Sequence, residues 1–104
     1  MDVCLLYYED CPNWKVTHRR LVAIAAEHPE VVLRRQRVET LEQAEQLGFR
    51  GSPTVLVDGA DAFSAPESAA GLSCRVYPTA DGLAGAPTTE QLYAALGLAQ
   101  ETTR

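Results

Sequence analysis

The chain has 104 residues, 46% of them hydrophobic and 22% charged, and nine Lys and Arg against fourteen Asp and Glu leave a net charge of −5. That balance suits one globular domain over residues 1–104 with a core of its own. It excludes the basic tract needed to bind nucleic acid through phosphates or to dock on an anionic bilayer. No apolar run nears the ~20 residues of a membrane span. Met1-Asp2-Val3 also lacks the basic lead and apolar stretch of a secretory leader. The expected location is therefore cytoplasmic, where thiols stay reduced, and the odd count of three cysteines does not make a disulfide framework.

Val3 to Tyr8 is a continuous apolar run, as in a strand buried on both faces. Glu9-Asp10-Cys11-Pro12 follows and predicts a helix start, with proline at the first helical position and Cys11 at the cap. The helix runs to about His28, with Trp14, Thr17, Leu21 and Ile24 on one face, and Pro29 ends it. Val31 to Val38 is a second strand, and Arg34, Arg35 and Arg37 mark it as an edge. Thr40 with Gln43 is a capping-box pattern opening a helix that Gly48 stops. Pro53 opens a third strand to Val57, and Asp58-Gly59 begins a turn. Residues 59–71 are small and polar, long for a loop in so short a chain. Leu72 to Tyr77 predicts a fourth strand, and Pro78 to Pro87 is rich in turn residues. A second capping box, Thr88 with Gln91, opens a last helix that ends at Gly97.

The order is β-α-β-α-β-β-α. The first two strands, joined through a helix, should be parallel. The last two, joined by a loop, should be antiparallel. The expected product is an α/β fold, a four-stranded mixed sheet flanked by helices, with strand one central and strand two at the edge. This order resembles the minimal fold of the thioredoxin-like superfamily across about residues 2–98. Two motifs carry the resemblance: Cys11-Pro12-Asn13-Trp14 after the first strand, and Gly51-Ser52-Pro53-Thr54 before the third. The resemblance implies a cis-proline at Pro53 facing Cys11. The chain departs from the family's Cys-x-x-Cys, because Trp14 stands at the resolving position and excludes a local dithiol. A narrower likeness, on Cys-Pro-Asn-Trp, Gly-Ser-Pro-Thr and Gly71-Leu72-Ser73-Cys74-Arg75, is to small proteins labelled alkylmercury-lyase-related. It implies paired cysteines gripping mercury while an acid protonates the carbon.

A cysteine at a helix start feels unsatisfied N–H groups and the positive end of the helix dipole, which favour the thiolate. Cys11 is thus the candidate catalytic thiol, with Lys15 helping and Glu9 and Asp10 opposing. Cys74 is its candidate partner, on a strand returning toward the same end of the sheet. Two strand spacings put the backbones roughly 10 Å apart, beyond the ~7 Å limit for a disulfide, so the pair is expected unjoined at rest. Pro12, Trp14, Ser52 and Pro53 are expected to shape a groove in which the Ser52 backbone aligns an extended substrate as an added strand. Cys4, inside the first strand, is expected in the core. His18 and His28 share no ligand spacing with a cysteine, and no metal site is assigned.

Three functions follow. The leading one is thiol–disulfide exchange through one reactive thiol, Cys11, acting on a protein or small-molecule thiol or disulfide. It calls for no cofactor and for no nucleic-acid or membrane partner. The others are a soft-metal or organomercurial site built from Cys11 and Cys74 with Asp10 as acid, and a non-catalytic binding module.

Overall fold

A computed structural model describes residues 1–49, 51–63, 75–80 and 82–98. Its elements are β1 (Asp2–Tyr7), α1 (Trp14–Glu27), β2 (Val32–Arg37), α2 (Leu41–Leu47), β3 (Thr54–Val57), β4 (Ala60–Asp61), β5 (Tyr77–Thr79), β6 (Gly82–Ala84) and α3 (Thr89–Leu96). Four strands form one sheet in the order β2-β1-β3-β4. β1 is parallel to β2 and antiparallel to β3, and β3 is antiparallel to β4. The topology is thioredoxin-like, a mixed sheet flanked by helices.

The central place of β1 follows from its side chains. Val3 and Leu5 point to one face, into a cluster with Leu21 and Ile24 of α1, Val55 of β3, and Leu92 and Leu96 of α3. Cys4 and Leu6 point to the other face, against Val38, Ala44 of α2 and Phe49. Apolar residues at successive positions are what a strand covered on both sides requires. β2 lies at the edge, with Arg34, Arg35 and Arg37 exposed. Arg34 reaches back over β1 to form a two-pronged pair with Asp2 at 3.0 Å, which holds the Asp2 carboxyl below its ordinary pKa.

Both capping boxes form. Thr40 and Thr88 each accept from the backbone N–H of Gln43 and Gln91, whose side chains return to the cap backbone. Gly48 and Gly97 close these helices in the left-handed conformation.

Three expectations are corrected. The helix that follows β1 starts at Trp14, with Asn13 as its cap, so Cys11 lies in the preceding turn and not at the cap. That turn is closed by the Cys11 N–H on the Tyr8 carbonyl at 3.0 Å, and by Lys15 N–H on Pro12 at 3.1 Å. The fourth strand of the described sheet is Ala60–Asp61, and in the stretch expected to supply it, Leu72–Tyr77, Arg75 and Val76 are not in a strand. The reason lies in Asp58 and Gly59, which have φ values of 52° and 89°. Two consecutive positive φ angles make the tight turn whose twist suits a two-residue hairpin, and Val57 pairs at once with Ala60. Residues 72–74 lie outside the described residues. Tyr77, the last residue of the expected fourth strand, instead begins a separate ribbon, β5 with β6, that runs into the stretch expected to be rich in turns.

Thr88→Ala is expected to lower stability by about 1 kcal/mol and Thr88→Ser to preserve most of it. Urea unfolding of the three proteins measures the difference.

Candidate functional site

The turn from Tyr8 to Cys11 brings the Cys11 sulfur inside the protein. Cys11 is 1% exposed. Its Sγ lies 3.7 Å from the Ser52 carbonyl oxygen. Ser52, Pro53 and Thr54 are buried, and the Ser52–Pro53 peptide bond is cis, as expected. Cys11 and the Gly51–Thr54 loop are therefore brought together.

Cys11 is disulfide-bonded, which corrects the expectation that this sulfur rests as a free thiol. The 10 Å estimate assumed that the chain around residue 75 was a strand of the main sheet. Instead, Arg75 lies directly against the Ser52 loop, donating its backbone N–H to the Ser52 carbonyl at 2.9 Å. Cys74 falls outside the described residues. Cys4 is free and buried. Burial pushes its thiol pKa up, with Arg34 opposing and Asp2 reinforcing the shift.

The loop is shaped by what it must admit. Gly51 has φ +115°, and a Cβ there would lie 2.9 Å from Arg75 Cβ and 3.2 Å from its Cα and N. Only a residue without a side chain permits that approach. Thr54 Oγ1 donates to the Gly51 carbonyl at 2.6 Å. The Tyr77 hydroxyl donates to the Pro53 carbonyl. Among the described residues the buried Ser52 hydroxyl meets no hydrogen-bond partner.

Arg75 is 8% exposed. Its guanidinium donates to Asp61 at 2.9 Å, to Thr54 Oγ1 at 3.3 Å and to the Phe63 carbonyl. It also lies 4.9 Å from the Tyr77 ring centre. A charge this buried is tolerable because the Asp61 carboxylate pairs it and both terminal nitrogens donate to oxygen. Burial pushes the Tyr77 phenol well above its ordinary pKa, with Arg75 opposing and Asp61 adding to the shift. Tyr77 and Asp61 are residues that the sequence did not single out, and Gly51 and Arg75 stood there only inside motifs, with no role of their own. One signal was present, a lone arginine inside the apolar run Leu72 to Tyr77.

The other expected groove residues diverge. Pro12 is exposed. Trp14 turns toward β1 and β2, stacked on Tyr7 at 4.2 Å with the Arg35 guanidinium 5.4 Å from its ring centre. Asp10, the acid of the organomercurial reading, accepts from the Tyr8 hydroxyl at 3.2 Å on the exposed turn. Among the described residues no three His, Cys, Asp or Glu side chains group to hold a metal. His18 packs near Trp14, and burial, then Arg35, lowers its pKa. His28 packs edge-on against Tyr93. None of the described helices is long and apolar enough to cross a membrane.

Set beside protein-family models, curated proteins and solved structures, the chain matches none. The class that can be stated is the one the topology defines, a thioredoxin-like fold with a buried, disulfide-bonded cysteine against its Ser52–Pro53 loop.

Gly51→Ala combines a disfavoured φ with a clash against Arg75. It should destabilise the fold by at least about 2 kcal/mol, read from the urea midpoint. Cys4 and Tyr77 both have raised pKa values in the folded state. The unfolded chain therefore loses these protons first, near pH 8.5 and then about 10. Their contribution to stability is intact below about pH 8.5 and declines as pH rises through the folded values. Tyr77→Phe should flatten the decline above about pH 10, measured by urea unfolding at stepped pH.

Proposed function

We propose that this chain is a thiol–disulfide exchange protein whose redox pair is Cys11 and Cys74. The partner cysteine comes from a distant segment, not from the turn that carries Cys11. The observation that carries this reading is the Cys11 sulfur held in a disulfide beside the Ser52 carbonyl. The cysteine count supports the pairing, since of three cysteines Cys4 is free. So does the neighbour of Cys74: the Arg75 N–H bonds the same carbonyl that lies against Cys11 Sγ.

The chemistry needs no cofactor. A substrate thiolate attacks one sulfur of the bridge and forms a mixed disulfide, and the other cysteine leaves as thiolate and takes a proton from solvent. A second substrate thiolate attacks the mixed disulfide at the substrate's sulfur. The substrate is released as its disulfide and the protein as its dithiol. Run backward, the dithiol reduces a substrate disulfide. Trp14 removes the local alternative, because no second thiol lies within the turn.

Two measurements test the pairing and the chemistry. Non-reducing digestion with mass mapping is expected to return a Cys11–Cys74 peptide and an unmodified Cys4. Equilibration with glutathione buffers is expected to show one two-electron transition, kept in Cys4→Ser and lost in both Cys11→Ser and Cys74→Ser. A bridge containing Cys4, or a native protein that exchanges with no thiol, would overturn the reading and leave a binding module.

A further inference from the structure

Strand addition at a loop such as Gly51–Thr54 needs a backbone group free to pair with the incoming peptide. Here that position is already taken by the chain itself. The Ser52 carbonyl accepts from Arg75 N–H at 2.9 Å. The next carbonyl along, that of Pro53, accepts from the Tyr77 hydroxyl. The backbone of Arg75 approaches so near Gly51 that a Cβ would not fit between them. The segment from Arg75 to Tyr77 thus lies on the loop where an extended substrate would lie.

This segment is fastened by its side chains. The Arg75 guanidinium is clasped by Asp61 of β4, by Thr54 of β3 and by the Phe63 carbonyl. The Tyr77 ring stands edge-on to Phe63, with centres 5.1 Å apart. The short hairpin that creates β4 is what puts Asp61 within reach.

We infer that Arg75 determines the substrate class of the Cys11 disulfide: by holding its own backbone on Ser52 it excludes extended polypeptides and leaves the bridge to small thiols and small disulfides. Arg75 acts by position and does not touch the reacting sulfur atoms of the substrate. The inference rests on the exchange reading above, and its test separates the two.

The oxidised protein is treated with 2-mercaptoethanol and, separately, with a blocked seven-residue peptide carrying one central cysteine. Bridge opening is followed by mass. In the wild type the small thiol should react at least tenfold faster than the peptide after correction for thiolate fraction. Arg75→Ala should narrow that ratio at least fivefold, the peptide rate rising relative to the small-thiol rate. Asp61→Asn, which keeps the shape and removes the ion pair, should narrow it less. Amide hydrogen exchange on the same proteins reads the clasp independently of any chemistry. The Arg75 amide should be protected in the wild type and exchange at least tenfold faster in Asp61→Asn. Equal peptide and small-thiol rates in the wild type, an unchanged ratio in folded variants, or an unprotected Arg75 amide would each overturn the inference. A protected Arg75 amide that Asp61→Asn releases, in a protein whose bridge no thiol opens, would uphold the clasp and overturn the exchange reading instead.

Discussion

The Ser52 carbonyl is where distant parts of the chain meet. It lies 3.7 Å from the sulfur of Cys11 and accepts the backbone N–H of Arg75. A buried carbonyl must be paired, and this one is paired by a residue far along the sequence. Much follows from that single bond. Gly51 must be without a side chain, because Arg75 passes too near. The chain after Arg75 must run beside the loop, which brings Tyr77 to the Pro53 carbonyl. The guanidinium is then carried into the interior, where Asp61 and Thr54 receive it.

The arginines show how place decides the role of one residue type. Arg34, Arg35 and Arg37 stand exposed on the edge strand, where an ion pair such as Arg34 with Asp2 is worth little in water. Arg75 is enclosed, and removing its partner would strand a charge away from solvent. That asymmetry makes Asp61 matter more than its place in a two-residue strand suggests.

The parts of the fold legible in the sequence were those written in several residues at once. The apolar run of β1, the capping boxes at Thr40 and Thr88 and the arginines of β2 each combine independent local signals, and each element stands where expected. β4 was not legible because two residues carry no period. Its signature was the preceding Asp58-Gly59, read as a turn but not as a hairpin. The helix start was misplaced by two residues because Pro12 suits a first helical position, yet the chain still turns at Asn13 before the helix begins. At the site, Cys11 and Ser52–Pro53 were legible from motif placement. The burial of Cys11 and the role of Arg75 were not, since both depend on a long-range contact that no local pattern records.

Trp14 gives the molecule an optical handle. It is the chain's single tryptophan, it follows Cys11 by three residues, and its indole is buried against the Tyr7 ring under the Arg35 guanidinium. Light absorbed at the red edge of the protein's spectrum therefore excites one chromophore in one environment. Tyr7, in contact with it, acts as an antenna at shorter wavelengths. Because that ring is buried in the fold, unfolding would move it into water and register as a shift of its emission to longer wavelength, with no label attached.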